Sequence, residues 1–280
     1  VLRDPDLGDQ APVLAAVGPM QFDVARHRHL TRETNAALVQ WSPLFADFNS
    51  DGWLDLFVAH GTVTPDPDTP RVSLGQPKRL WLNSGTGDFE EVPLSPSNPL
   101  ADTQSARGAV VADFDNDGDP DLFVAHNNDL GQLLVNTTPK ENQWLGLHLI
   151  ATSGNRDAIG SKVCLKTDSG RQCRTLVRNQ GFLSDSDPRL LFGLTNSTHV
   201  ATIEIQWPDG SLETHGTPTL NTYLRVAQNG AIETIGRAPS AAAKPILRLA
   251  VGQALPENRA DYVAMLASLN QSPATQSEFA

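Results

Sequence analysis

The sequence is that of an acidic chain of 280 residues, with a formal net charge of −11 and a pI of about 5.0. Its hydrophobic content of 39% and charged content of 19% predict a globular protein of one or two domains and argue against a disordered chain. The net negative charge, without a basic stripe, argues against nucleic-acid binding and against docking on an anionic membrane surface. No apolar run reaches the roughly eighteen residues of a spanning helix, so no membrane span is expected.

An acidic nine-residue pattern occurs twice, at residues 47–55 and 113–121, and each copy is followed by Leu-Phe-Val-Ala-His. Oxygen-bearing side chains stand at positions 1, 3, 5 and 9 of the pattern. Glycine at position 6 allows a sharp turn, and position 7 offers its backbone carbonyl. This is the ligand order of a calcium loop, in which a hard cation collects about six to eight oxygens.

The predicted ligands differ from those of an EF-hand, because Val58 and Val124 stand where its closing Glu would be. We therefore expect the aspartates at position 9 to close each site. Short apolar runs after the loops predict buried strands where an EF-hand has helices. The alternative is an acidic turn that binds no metal. The predicted ligands are Asp47, Asn49, Asp51, the carbonyl of Trp53 and Asp55 in the first loop, and Asp113, Asp115, Asp117, the carbonyl of Asp119 and Asp121 in the second.

The second copy, read from Ala112 to Val124 as Ala-Asp-Phe-Asp-Asn-Asp-Gly-Asp-Pro-Asp-Leu-Phe-Val, resembles the FG-GAP (VCBS-type) repeat of integrin-like β-propellers. The resemblance implies blades with one calcium loop each, and so two calcium ions. Strand and turn patterns at residues 80–92, partly copied at 132–136, predict about four short strands per blade. Closed propellers usually have four to eight blades, but only about two fit here. Exposed strand edges would then pair with further blades, another surface or a second copy.

Cys164 and Cys173 flank a turn signal at residues 168–171 and lie on the two arms of a predicted hairpin. On facing strands they form a disulfide in an oxidising compartment; the alternative is two free thiols on one sheet face. A disulfide and the millimolar calcium found outside cells favour an extracellular or periplasmic (secreted) protein.

From Trp144 onward, several short strands at close spacing predict an all-β sandwich or barrel. This part, over about residues 143–215, resembles the ASPIC and UnbV domain, for which no activity is implied. Together with the FG-GAP-like repeats, it resembles the cartilage acidic protein family and its bacterial relatives. The residues that carry the domain resemblance are Trp144, Leu145, Gly146, Asn155, Arg156, Asp157, Ile159, Gly160, Gly181, Ser184, Asp187, Leu190, Phe192, Gly193, Leu194, Trp207, Pro208 and Gly210.

The predicted fold class is therefore all-β, with a partial β-propeller of about two FG-GAP blades over residues 1–142 and a small ASPIC/UnbV-like β-sandwich or barrel over residues 143–236. An Ala- and Pro-rich linker is expected over residues 237–256. An apolar stripe at helical spacing predicts a short C-terminal helix over residues 257–271.

The predicted function is a calcium-binding, secreted or periplasmic interaction or adhesion module whose loops contact a protein or glycan ligand. The segment 61–78 is rich in Pro and Asp and is interpreted as a surface loop, which either contacts a partner or has no binding role. One alternative is a calcium-dependent enzyme acting on glycans or natural products, with Asp157, Asp185, Asp187 and Arg189 as candidate groups; no catalytic motif accompanies them. Another is the structural tail of a larger propeller.

His60 and His126 end the two equivalent apolar runs. They are interpreted as end-of-strand hydrogen-bonding groups, the alternative being a shared metal site.

Overall fold

The computed structural model describes residues 38–62, 75–138, 142–195 and 199–237, which form an all-β protein of four small sheets. The predicted fold class is thereby confirmed. The predicted C-terminal helix, nearly all of the predicted linker and most of the segment 61–78 lie outside the described residues. Within the four described ranges, no helix is long and apolar enough to cross a membrane.

The first two sheets are the repeats predicted from the sequence. In both, the first strand pairs antiparallel with the second, and the acidic loop connects them. The register is the same, because Ala46 lies opposite Asp55 in one sheet and Ala112 opposite Asp121 in the other. The strands of the first sheet are β1 (Gln40–Ala46), β2 (Asp55–His60), β3 (Arg79–Asn83) and β4 (Phe89–Glu91). Those of the second sheet are β5 (Ala106–Ala112), β6 (Asp121–His126) and β7 (Gln132–Leu134).

The second sheet has three strands in the described part of the chain, one fewer than the predicted four. By the spacing that matches Asn83 with Asn136, the counterpart of β4 would fall near residues 142–144. Trp144 instead begins a strand of the C-terminal part of the protein. The chain thus leaves the second blade after β7.

The two blades pack against each other through one apolar core, as consecutive propeller blades do. Leu44 and Phe57 of the first blade join Leu122 and Val124 of the second in this core, and all four are buried. Phe57 has no exposed surface, whereas its counterpart Phe123 is 37% exposed. The difference arises because the second blade covers Phe57, whereas no third blade covers Phe123 among the described residues.

The remaining two sheets form a sandwich around the largest core of the protein. Its strands are β8 (Trp144–Ile150), β9 (Lys162–Thr167), β10 (Gly170–Thr175), β11 (Leu190–Gly193), β12 (Val200–Gln206), β13 (Leu212–His215), β14 (Thr222–Ala227) and β15 (Ile232–Arg237). One sheet has the order β10-β9-β12-β13 and the other β11-β8-β14-β15, with β8 and β14 parallel. Both sheets contribute buried side chains to the shared core, among them Leu147, Leu165, Ile203 and Val226.

The predicted cysteine hairpin is present. Strands β9 and β10 pair antiparallel with Cys164 directly opposite Cys173, and the two sulfur atoms form a disulfide with a Cα–Cα distance of 4.1 Å. Asp168 and Ser169 make the two-residue turn between the strands.

Replacement of both cysteines by alanine is expected to lower the free energy of unfolding by about 2.5–3 kcal/mol, the loop-closure entropy of a loop of about ten residues. Urea unfolding of the double variant and of the oxidised and reduced wild type measures this loss. The reduced wild type should unfold near the midpoint of the double variant. Identical midpoints for all three samples would show that the disulfide adds nothing to stability.

Candidate metal centres

The two acidic loops have the same backbone conformation. Ser50 and Asn116, at position 4, both have φ of 56°. Gly52 and Gly118, at position 6, have φ of 92° and 94°, a region that side chains rarely adopt. Glycine at position 6 is therefore required by the turn itself, as the sequence pattern predicts.

The aspartate at position 1 is held by two backbone N–H groups of its own loop. In the first loop, Asp47 accepts hydrogen bonds from Asp51 N through Oδ1 and from Gly52 N through Oδ2, both at 2.9 Å. In the second loop, Asp113 accepts the same two bonds, from Asp117 N at 3.0 Å and Gly118 N at 2.7 Å. Each loop thus turns around the carboxylate of its first residue.

The aspartate at position 9 is held by two further N–H groups, one of them from the next strand. Asp55 accepts hydrogen bonds from Phe48 N and from Asn83 N at the end of β3, both at 2.8 Å. Sequence reasoning missed the part played by this asparagine, although the repeated Asn after the third strand was a signal for it. The equivalent bonds of the second loop run to Asp121 from Phe114 N at 2.9 Å and from Asn136 N at 2.7 Å.

The second loop brings three carboxylates together. Oxygen atoms of Asp113, Asp115 and Asp117 all lie within 4.8 Å of one another. Asp115 Oδ1 is buried and accepts no hydrogen bond, so it is an acceptor without a partner in the described structure. In the first loop, Asn49 Nδ2 donates to Asp51 Oδ2 at 2.8 Å, which leaves fewer free acceptors. An all-oxygen donor set with an unsatisfied buried carboxylate oxygen fits a hard divalent cation such as calcium.

Burial raises the pKa of five carboxyl groups in the two loops. It raises the pKa of Asp47, Asp55 and Asp121 to about 7 and that of Asp115 to about 6, and it also raises the pKa of Asp113. Nearby Arg174 partly offsets this for Asp47. Among the described carboxyl groups, every upward pKa shift that is resolved belongs to these loops. Burial is the largest cause of each of these shifts.

At position 7, the predicted carbonyl donors Trp53 and Asp119 follow the position-6 glycines. Their backbone N–H groups donate to the position-5 carboxylates, at 2.8 Å to Asp51 and 3.1 Å to Asp117. The Asp119 side chain is buried and accepts a hydrogen bond from Ser50 Oγ at 3.2 Å, so the two loops contact each other.

The sandwich covers the second loop through two side chains. Tyr223 on β14 donates its hydroxyl proton to Asp113 Oδ2 at 2.6 Å. Arg189 donates from Nη2 to the Asp113 carbonyl at 2.9 Å and from Nη1 to Asn116 Oδ1 at 2.5 Å. Asp187 holds the Arg189 guanidinium, with Nε 2.8 Å from Asp187 Oδ2. The guanidinium also lies 4.2 Å from the centre of the Tyr223 ring.

Side chains of the sandwich bind the first loop at main-chain carbonyl groups of the loop. Arg174 Nη2 donates to the Gly52 carbonyl at 2.7 Å, and Thr195 Oγ1 donates to the Asp51 carbonyl. Gly193 packs so closely that an added Cβ would lie 2.5 Å from the Ser50 backbone. Tyr223, Arg174 and Thr195 were missed in the sequence, where nothing connects a residue of a later domain to a loop far before it.

A cavity of about 490 Å³ lies at this junction, bounded by both loops and by the sandwich. The charged and polar groups on its wall include Asp47, Asp113, Arg174, Arg189 and Tyr223. These groups already pair with one another or with the loop backbone. The cavity is therefore part of the junction between the two loops and the sandwich.

The candidate catalytic groups do not converge. Asp157 and Asp185 both pair with Arg178, at 3.2 and 2.8 Å, whereas Asp187 pairs with Arg189. The four residues thus form two separate ion-pair groups.

The two equivalent histidines differ in their surroundings. His126 Nδ1 lies 2.6 Å from the Leu130 carbonyl, in keeping with an end-of-strand hydrogen bond. His60 is fully buried, which lowers its pKa to about 4.

Two protein families match this chain. The FG-GAP-like repeat matches residues 47–124, which contain both acidic loops. The ASPIC and UnbV family matches residues 151–233, which lie in the sandwich.

Three curated proteins named cartilage acidic protein 1 are similar to this chain. The protein from Xenopus tropicalis is 29% identical over 188 residues, which are 65% of this chain and 28% of the relative. The proteins from Homo sapiens and Mus musculus are each 30% identical over 139 residues, which are 48% of this chain and 21% of each relative. The matched part of the chain thus spans less than a third of the length of these relatives. Residues 47–124 thus match the FG-GAP-like repeat and residues 151–233 match the ASPIC and UnbV family, and the chain is similar to cartilage acidic protein 1.

Proposed function

We propose that the protein is a calcium-binding interaction module, in which one ion in each acidic loop stabilises the blades and their junction with the sandwich. The observation that carries this proposal is the duplicated hydrogen-bond framework of the loops. In both loops, N–H groups at positions 5 and 6 hold the first aspartate, and two more hold the last. Such a framework fixes the carboxylates before a cation arrives.

Electrostatics supports the same proposal. Burial raises the pKa of Asp55, Asp115 and Asp121, and the neighbouring aspartates raise it further. A bound divalent cation would compensate this charge, because opposite charge favours the ionised form of a carboxyl group. In the first loop, Asp47, Asn49, Asp51, the Trp53 carbonyl and Asp55 are the ligands in this proposal. In the second loop, they are Asp113, Asp115, Asp117, the Asp119 carbonyl and Asp121.

The test is titration of the metal-free protein with calcium chloride in a calorimeter. We expect two binding events, and weaker binding of magnesium, because magnesium demands near-ideal octahedral geometry and gives up its water reluctantly. A calorimeter that records no heat of binding at any calcium concentration up to 10 mM, about ten times the millimolar range of weak extracellular calcium modules, would remove the proposal.

The two loops are expected to bind with different affinity, because the second has Asp115 where the first has Asn49. Asp115→Asn gives the second loop the position-3 ligand of the first. Removal of one ligand charge is expected to weaken calcium binding at the second loop about tenfold, since calcium affinity follows the number of charged ligands. Calorimetry of the variant measures this change. Equal affinities of the two wild-type sites, with no effect of Asp115→Asn, would contradict the assignment of the ligands.

We further propose that the protein acts in an extracellular or periplasmic compartment and that its blade loops contact a protein ligand. The disulfide between Cys164 and Cys173 supports an oxidising compartment, because such bonds are rare where glutathione keeps thiols reduced. The FG-GAP-like repeat supports protein interaction. A glycan ligand is the alternative within this proposal. Binding of the calcium-loaded protein to immobilised extracellular-matrix proteins and to a glycan array would separate the two ligand classes.

A further inference from the structure

We propose that the sandwich completes the second cation site, with Tyr223 and Arg189 as positioning residues for its ligands, so that cation binding and docking of the two domains support each other. This inference rests on the proposed calcium binding.

Tyr223 acts on a ligand carboxylate directly. Its hydroxyl and Gly118 N both donate to Asp113 Oδ2, while Oδ1 accepts one bond, from Asp117 N at 3.0 Å. The two donors on Oδ2 fix the rotation of the carboxylate and leave Oδ1 with a free lone pair for a cation. Tyr223 is itself held by burial and by contact with the Trp144 ring, 5.0 Å away between ring centres. Groups that orient a metal ligand in this way typically change metal affinity by about 10–100-fold.

Arg189 acts on the backbone of the same loop. It binds the Asp113 carbonyl and the Asn116 side chain, and so ties residues 113 and 116 to the sandwich. The ion pair with Asp187 keeps the guanidinium in place and balances its charge. The arginine thus orients the loop without adding net positive charge beside the proposed cation.

The first loop provides an internal comparison, because no tyrosine hydroxyl binds its first aspartate among the described residues. The hydrogen bonds from the sandwich to this loop end on the main-chain carbonyls of Gly52 and Asp51. Removing the Tyr223 hydroxyl should therefore change one binding event and spare the other. If Tyr223 had only a structural role, removal of its hydroxyl would not weaken calcium binding at one loop more than at the other.

The coupling is reciprocal by thermodynamic linkage. If the docked sandwich raises the cation affinity of the second loop, the bound cation must strengthen docking by the same factor. The amides of β14 and β8 near Tyr223 and Trp144 should then exchange hydrogen more slowly when calcium is bound.

The experiment is two-site calorimetry of the wild type and Tyr223→Phe, with Asp115→Asn used to identify the binding event of the second loop. Tyr223→Phe is expected to weaken that event about tenfold and to leave the other unchanged. Hydrogen exchange of both proteins gives the second readout, and calcium should slow exchange at β14 less in the variant. Should Tyr223→Phe not fold, Arg189→Lys serves instead, with a smaller but equally selective loss expected.

The matched control is Ser42→Ala. The Ser42 hydroxyl is buried and also joins the domains, accepting from Phe182 N at 2.9 Å, but it contacts neither loop. Its removal should lower stability without a loss of calcium affinity confined to the second loop. Two calcium ions bound equally by the wild type and by Tyr223→Phe would overturn this inference alone. No binding by the wild type would overturn the proposed function and this inference with it.

Discussion

Removal of calcium by EDTA is expected to lower the melting temperature of the protein by about 10–20 °C. A ligand at a hundred times its dissociation constant stabilises the folded state by about 2.7 kcal/mol per site, so two sites contribute about 5 kcal/mol. For a folded unit of 150–250 residues, each kcal/mol corresponds to roughly 2–4 °C in melting temperature. Differential scanning calorimetry with and without EDTA measures the shift, and excess calcium chloride should reverse it.

The decrease in melting temperature caused by EDTA should become larger as the pH rises. The pKa of Asp47, Asp55 and Asp121 in the folded, metal-free protein is about 7, against an ordinary value of 3.8. Between these values the folded state binds more protons than the unfolded state, so metal-free stability falls as pH rises from about 4 to about 7. Calcium competes with those protons and binds better as pH rises. The EDTA shift should therefore be small at pH 5 and full at pH 8, and a shift that is absent at pH 8 would contradict cation binding.

The loop geometry could be predicted from the sequence because it is local. Gly52 and Gly118 at position 6 fix the turn, and the first aspartate of each loop accepts hydrogen bonds from N–H groups only four and five residues later. The strand after each loop was equally local, since the apolar run beginning at Leu56 must be buried. Repetition strengthened both predictions, because the same nine-residue pattern recurs with the same flanking residues.

The junction with the sandwich could not be predicted, because it is made by residues distant in the chain. Tyr223 lies 110 residues after the aspartate that it binds. Neither its spacing nor its neighbours mark it as different from any core tyrosine. Arg189 was noticed, but only as a candidate catalytic group, since its sequence neighbour Asp187 suggested a polar cluster. Its contacts with Asp113 and Asn116 depend on how the two domains pack, which periodicity does not encode.

Gly118→Ala is expected to lower the free energy of unfolding by about 3 kcal/mol, because two separate penalties act at this position. An alanine at φ 94° is strained by about 1–2 kcal/mol. Its Cβ would also lie 2.1 Å from Trp144 Cε2, and Trp144 is buried on β8 in the sandwich. Overpacking of this kind typically costs a further 1–3 kcal/mol. Denaturant unfolding of the metal-free variant in EDTA measures the sum, without a contribution from calcium binding.

Gly160→Ala separates the two penalties. Gly160 also has φ of 94°, but nothing lies within 4 Å of an added Cβ, so this variant has the backbone strain without the clash. It should lose about 1–2 kcal/mol, and the remaining difference from Gly118→Ala measures the contact between the second loop and Trp144. Because Gly118 also forms the turn of the second loop and donates to Asp113, Gly118→Ala should also weaken calcium binding there, whereas Gly160→Ala should not. Equal losses of stability in the two variants would mean that Trp144 does not pack against the loop in solution.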